Sequence, residues 1–352
     1  MKYTLRCSKC GASYPSSYNK QICGKCNGNL EVIYNGKPHA HKNPSSFWDF
    51  EGVLPDGNYK HYFVGLTPLV RHNIHKNLYL KLELMNPTKS FKDRGSVVEV
   101  AKAREYKYHE IACASTGNMA YSIAHFAKLY GLRSHIFISN NANKDKINDI
   151  KLTHDAFITQ VDGDFNKALD AAASFASSHG AFLAGDYCYR QEGQKTIAYE
   201  IISQLPEVSN IIVPVGNATL ISGIFRALLE MRQMKILKQL PRLIAVQASG
   251  SAPLLMPFRH GTEIIHITPH TKADAIAVGY PTFGFQALTA LKATKGVLIT
   301  VTDKEMQAAQ SALFTEEGLI AELGGVASLA AYKKIKNSLS GNSVAIISGG
   351  NV

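Results

Sequence analysis

No apolar run in the sequence is long enough to cross a bilayer. The longest apolar-rich stretch, Ile211 to Met231, is interrupted by Pro214, Asn217 and Arg226, which excludes a spanning helix. The first residues, MKYTLRCSKCGASY, lack the apolar segment of a secretory signal, so a cytoplasmic location is expected. Internal repeats and low-complexity tracts are absent, and the composition excludes a wholly disordered chain and a fibrous repeat. Charged residues are sparse at 18% against 45% apolar, the balance of a chain that buries a sizeable core. At ~150 residues per domain, 352 residues suggest two domains with room for a small extra module. The net charge is +11, yet no run of five or six basic residues occurs. Scattered lysines read as a solvated surface that also favours anionic small molecules, with neither nucleic acid nor membrane expected as a partner.

Cysteine is scarce too: six residues, of which four fall within the first 26. Disulfides are not expected in a cytosolic chain of this length. Cys7, Cys10, Cys23 and Cys26 form two CxxC pairs, CSKCG and CGKCN. Each pair ends in Gly or Asn, which lets the backbone turn tightly beneath a metal. Four thiolates satisfy a tetrahedral Zn²⁺ with no position left open, so the site would be structural. Residues 1–36 therefore read as a zinc-ribbon-like module. Such modules accompany nucleic-acid proteins and enzymes alike, and this one does not set function by itself.

From Leu78 onward, short β-prone runs (LYLKLE, EIACA, SHIFI, AFITQV, NIIVPV, RLIAVQ, VLITV, SVAII) alternate with helical stretches. The helices expected are Lys92–Tyr108, Asn118–Leu132, Phe165–His179, Glu192–Leu205 and Thr219–Leu237. Near-continuous apolar strands separated by helices predict an α/β protein with two doubly wound parallel-sheet domains. The expected division is 1–36 ribbon, 37–95 connector and first part of a large domain, 96–182 small α/β domain, and 183–352 large domain. In open α/β sheets ligands bind beyond the carboxyl ends of strands, so the strand-to-helix loops should carry the chemistry.

Four loops stand out. NPTKSFKDRG (86–95) places Lys92 in the first turn of a helix, where the macrodipole disfavours a cation and a lowered amine pKa suits a Schiff-base former. Phe91 is expected to be buried beside it, and Ser90 to cap the helix. ACASTGNMA (112–120) brings hydroxyls, an amide and helical N–H groups together at Ser115, Thr116 and Asn118, a set suited to a carboxylate or phosphate. In VPVGNATLISG (213–223) the small residues Gly216 and Ala218 let backbone amides approach an anion, and the new helix adds its dipole. The loop is neither a Walker motif nor GxGxxG. The last loop, IISGGN (346–351), ends a buried strand with the hydroxyl of Ser348.

One anionic cofactor bearing a reactive aldehyde would unite these loops. SFKDRG, ASTGN, EGQKT, VPVGN and SGGN, in this order over residues 60–352, resemble the motifs of the fold-type II pyridoxal-phosphate enzymes (the tryptophan synthase β-like fold), most of all those of the threonine synthases. An N-terminal zinc-ribbon-like extension recurs in some of those enzymes. The resemblance implies that Lys92 carries pyridoxal 5'-phosphate and acts as the catalytic base. It further implies that Asn118 bonds the cofactor's phenolic oxygen, that the amides of Gly216, Asn217, Ala218, Thr219 and Leu220 hold its phosphate, and that Ser348 faces its ring nitrogen. Ser115, Thr116 and Arg190 would receive a small phosphorylated amino-acid substrate, with Lys89 nearby. The implied activity is a lyase reaction turning O-phospho-L-homoserine and water into L-threonine and phosphate; the implied assembly is a homodimer.

Several positions depart from the family pattern. Lys89 stands where a small residue, usually Gly, is expected. Ala184-Gly185 replaces an Asn-Ser pair before Arg190, Leu323 falls in ELGG where Glu-Pro is usual, and SGGN resembles the ending of the threonine dehydratases. These departures concern the substrate rather than the cofactor. They keep open a threonine or serine ammonia-lyase, or a β-replacement enzyme of cysteate synthase type. A nucleic-acid-binding protein on an inactive scaffold is a further alternative, which would bind with steep salt dependence.

Overall fold

The structure is a computed structural model and describes the chain except residues 42, 116, 140–149, 151–155, 164 and 352. It opens with strands β1 (Tyr3–Cys7), β2 (Ser13–Pro15) and β3 (Leu30–Tyr34), followed by β4 (Leu69–Arg71) and β5 (Leu78–Leu82). Helix α1 (Lys92–Glu105), β6 (Glu110–Ala114), α2 (Asn118–Tyr130), β7 (Arg133–Ser139), β8 (Phe157–Val161), α3 (Phe165–His179) and β9 (Phe182–Ala184) come next. After them run α4 (Cys188–Gln194), α5 (Thr196–Gln204), β10 (Val208–Pro214), α6 (Thr219–Gln233), β11 (Arg242–Ala248) and α7 (Leu255–His260). The chain closes with α8 (Gly284–Ala293), β12 (Val297–Val301), α9 (Asp303–Glu317), α10 (Ala327–Ile335) and β13 (Asn342–Ile347). The expected α/β class is observed, and the strand cores agree with the β-prone runs to within a residue or two. Helix ends differ where backbone geometry intervenes: α2 stops at Tyr130 because Gly131 takes a left-handed cap. The single helix expected over 192–205 is two, parted at Lys195.

The chain divides into two compact units. One comprises Met1–His41, Trp48–Val64 and Lys92–Gly193; the other Lys42–Phe47, Gly65–Phe91 and Gln194–Val352.

In the first unit, β8-β7-β6-β9 form an all-parallel sheet. Helix α3 lays the small face Ala168, Ala172 and Ala176 on Ala112, Ala114 and Phe137, which lets helix and sheet approach closely. The loops after the neighbouring strands β6 and β9 leave from the same edge. The N-terminal strands form a separate antiparallel sheet, β2-β1-β3. It rests on α1 and α4 through tyrosines: Tyr3 Oη lies 3.0 Å from Tyr189 Oη, and Tyr106 Oη 2.6 Å from Tyr189 Oη. Lys102 Nζ, ion-paired with Glu105 at 2.8 Å and donating to Asp56 O at 2.9 Å, also sits 5.1–5.6 Å from the centroids of these three rings, which adds a cation–π contact.

In the second unit, the sheet order is β12-β11-β10-β13-β5-β4, parallel except for β4. Leu80, Ile212, Ile244, Val246, Ala345 and Ile347 meet Leu329 and Tyr332 of α10 in its core. The loops following β10, β13 and β5 leave from adjacent strands at their carboxyl ends, the place where ligands of open α/β sheets bind.

Candidate active site

The expected site residues fall into two groups, one in each unit. In the first, Lys92 is the opening residue of α1, as expected. Its side chain is largely buried, with Nζ 3.6 Å from Asp186 Oδ1. Burial lowers the amine's pKa from the ordinary lysine range; Asp186 opposes that shift and Arg190 adds to it. A lowered pKa favours the uncharged amine, the form that condenses with a carbonyl. Phe91 is half-buried rather than buried. The sequence reading missed Asp186, although it lies in a strand-to-helix loop, directly after the Ala184-Gly185 departure.

Ser115 directly follows β6, its Oγ accepting the Gly117 N–H at 3.2 Å. Asn118 begins α2, is buried, and follows a Gly117 that offers no side-chain cap. Thr116 lies outside the described residues. Nearby Cys113, wholly buried on β6, has its thiol pKa pushed up to about 12 by burial, which makes it an inert thiol.

Arg190, expected to receive a substrate phosphate, turns its guanidinium onto groups of the protein. Its guanidinium is wholly buried and ion-paired with Glu99, which is equally buried. Nε donates to Gly185 O at 2.8 Å, Nη1 to Lys92 O at 3.4 Å, and both terminal nitrogens reach Ser96 Oγ at 3.3 Å. The donors are occupied within the protein, and Arg190 braces the first turn of α1. Two motif glycines make this packing possible. A Cβ at Gly95 would lie 2.5 Å from Arg190 Cγ, and one at Gly193 1.9 Å from Arg94 O. The glycines of SFKDRG and EGQKT are therefore required by backbone-to-backbone approach of α1 and α4.

In the second unit, Gly216 to Leu220 join β10 to α6. Ala218 is left-handed (φ 65°) and gives the fifteen-residue α6 no side-chain cap, so its first amides suit an anion. A Cβ on Gly216 would crowd Ala275 O and Val278 Cγ2 at 3.2 Å. Asn217 O holds the Phe283 N–H at 3.0 Å. Thr219 and Leu220 open the helix and are buried.

Ser348 follows β13 and is buried. Its carbonyl accepts the Phe91 N–H at 3.0 Å and lies 3.5 Å from Ser90 Oγ. The terminal loop zips onto residues 88–91: Gly350 N–H donates to Lys89 O at 2.8 Å, and Asn351 Nδ2 to Thr88 O at 2.9 Å. Lys89 is exposed and left-handed, φ 57°, a conformation that explains why a glycine suits this position. Asn86 anchors the loop base, accepting the Gly65 N–H at 2.9 Å and donating to Glu83 Oε2 at 2.9 Å. The ELGG turn and the SGGN ending meet here. Ser348 N–H donates to Gly325 O at 3.2 Å, and a Cβ on Gly325 would strike Gly349 O at 2.2 Å. The ELGG turn thus fits the SGGN ending.

The four cysteine sulfurs of the ribbon lie within 4.8 Å of one another. Cys7 Sγ and Cys26 Sγ are 3.5 Å apart, Cys10 Sγ and Cys23 Sγ 3.7 Å; sulfurs on a tetrahedral Zn²⁺ at 2.3 Å would be about 3.8 Å apart. Gly11 and Asn27, the residues that end the two pairs, are both left-handed (φ 71° and 53°). The Tyr14 hydroxyl, 3.1 Å from Cys23 Sγ, draws that thiol down to about 6 against the effect of burial.

With this geometry in place, the chain can be set beside known proteins. Residues 61–349 match the family described as pyridoxal-phosphate dependent enzyme, and the chain belongs to that family. Among similar curated proteins, the threonine synthase of Methanosarcina acetivorans is 34% identical over 353 aligned residues, covering 95% of this chain and 87% of the relative. The threonine synthase of Methanocaldococcus jannaschii is 34% identical, covering 94% and 87%. Maize serine racemase shares the fold with a TM-score of 0.72 at 24% identity, covering 81% of this chain and 88% of that one. A tomato threonine deaminase does so with a TM-score of 0.68 at 24% identity, covering 78% and 75%. Among the described residues, no helix is long and apolar enough to cross a membrane.

Proposed function

We propose that the chain is a threonine synthase, releasing phosphate from O-phospho-L-homoserine and adding water to form L-threonine. The observation that carries this reading is the reach of the likeness. An alignment covering 95% of the chain omits about one residue in twenty, so it extends well into the first 60 residues, beyond the span common to the whole family.

The residues present fit pyridoxal phosphate: a lysine whose charge is disfavoured, and an uncapped helix start behind a left-handed turn. When bound, the cofactor supplies an aldehyde that condenses with amines and an electron sink for a substrate carbanion. Lys92 Nζ would hold it covalently, the amides of 216–220 its phosphate, and Asn118 and Ser348 its ring. The free amine of Lys92 is suited to take and return a proton at the substrate's Cα, and Asp186 offers a carboxylate to steady the ammonium formed. Ser115 provides a hydroxyl for the substrate's acidic groups. We further infer that Cys7, Cys10, Cys23 and Cys26 hold one structural Zn²⁺.

The inward-turned Arg190 favours a second reading, an ammonia-lyase acting on threonine or serine, because the expected phosphate contact is spent elsewhere. A panel of phosphohomoserine, phosphoserine, threonine and serine, assayed for phosphate and ammonia, separates the two. Fastest turnover with phosphate release from phosphohomoserine supports threonine synthase. Faster ammonia release from threonine would replace it with the lyase.

A further inference from the structure

Gln21 lies between the two cysteine pairs of the ribbon, two residues before Cys23. It is almost fully buried, although glutamine usually sits at the surface. Its amide nitrogen donates 3.1 Å to Glu99 Oε1 and 2.8 Å to Leu183 O. Its amide oxygen is buried and has no hydrogen-bond partner. A buried unsatisfied acceptor is costly, so the position is organised around the donor.

Both acceptors lead to Lys92. Glu99 pairs with Arg190, whose Nη1 donates to Lys92 O. Leu183 belongs to β9, and the loop that follows contains Gly185, whose N–H donates to Glu99 Oε1 at 3.1 Å and whose carbonyl receives Arg190 Nε. The next residue is Asp186, 3.6 Å from Lys92 Nζ. One amide therefore ties together the carboxylate that braces the backbone of Lys92 and the strand end that delivers a carboxylate to its amine. All of these residues belong to a single compact unit.

We propose that Gln21 is a positioning residue for Lys92, making the cysteine ribbon a part of the active-site scaffold rather than an independent appendage. This rests on the reading of Lys92 as the residue that carries the cofactor. The cysteines close the loop bearing Gln21, and Gln21 fixes Glu99 and the end of β9. Tyr34, on β3, supplies an internal control. Its hydroxyl pairs with the Glu192 carboxylate of α4 and with Val53 O at 2.9 Å, so it docks the ribbon through partners other than those of Gln21.

The test uses the full chain, freed of cofactor by dialysis against hydroxylamine, and an amine-reactive acylating probe. The labelling rate of Lys92 is read by peptide mass mapping against lysines of the second unit. Gln21→Met, of similar length but without a donor, should speed labelling of Lys92 by roughly two- to tenfold, the equivalent of one or two hydrogen bonds. Tyr34→Phe should leave that rate unchanged. In the Glu99→Gln background, the effect of Gln21→Met should shrink, as expected for residues acting through one path. Should the Met variant not accumulate, Gln21→Asn, one methylene too short to reach Glu99, gives the same readout. An unchanged rate in Gln21→Met, an equal rise in Tyr34→Phe, or full additivity with Glu99→Gln would each reduce Gln21 to a docking contact. Attachment of added pyridoxal phosphate is scored separately in the same samples. Its absence from Lys92 would count against the reading of the lysine, and not against the path from Gln21.

Discussion

Arg190 and Glu99 form an ion pair with no solvent exposure on either side, and the arginine also holds the carbonyl of Lys92. A pair of this kind is a brace. Removing one partner leaves a buried charge uncompensated, at a cost of about 3–5 kcal/mol. Arg190→Ala should therefore lower the urea midpoint markedly, and the Arg190→Ala/Glu99→Ala double variant should cost less than the sum of the singles. A variant as stable as the parent that only raised KM for a phosphorylated substrate would restore Arg190 as a phosphate contact.

Lys89 adopts a left-handed backbone that costs a non-glycine residue ~1–2 kcal/mol. Part of that is offset by the greater freedom glycine has in the unfolded chain. Lys89→Gly should thus leave stability unchanged or raise it by about 1 kcal/mol in chemical denaturation. If the exposed ammonium attracts the substrate's phosphate, the same variant should raise KM for phosphohomoserine while leaving kcat near its original value.

Burial depresses the pKa of Lys92, so between that value and the ordinary lysine range the unfolded chain binds the proton that the folded chain releases. Stability then rises with pH across this window. Lys92→Met, freed of the penalty, should be more stable than the parent cofactor-free chain near neutral pH. Its advantage should shrink as pH approaches ~10. Denaturation midpoints of both proteins across this range give the comparison; a constant gap would place the lysine in a solvated setting.

Much of this was legible before any coordinates. Period and β-branched runs such as VLITV mark strands, because buried parallel strands need apolar side chains on both faces. Motif glycines could be seen, but not what they pack against: Gly193 meets Arg94 O across nearly a hundred residues of chain. Arg190 invited the reading of a phosphate clamp because guanidinium chemistry suits phosphate. Its actual partner, Glu99, lies on another helix, and local pattern carries no sign of it. Asp186 and Gln21 escaped notice for the same reason, since each gains its meaning from a contact distant in sequence. The ELGG and SGGN segments, far apart in sequence, are in contact through Gly325 and Gly349.

The ribbon's sulfur spacing supports one Zn²⁺ per chain. Elemental analysis of protein prepared without chelator should find it, and Cys23→Ser should lose most of the metal and lower the stability of the N-terminal sheet. A chain that folds and retains its melting temperature with no zinc bound would remove the metal from the structure.

The cofactor assignment to Lys92 is tested most directly by borohydride reduction of the purified protein followed by peptide mapping. The expected result is loss of the visible band of bound pyridoxal phosphate and a pyridoxyl group on Lys92, with Lys92→Ala folded, catalytically inactive and unlabelled. A reduced adduct on any other lysine, or turnover persisting in Lys92→Ala, would contradict it.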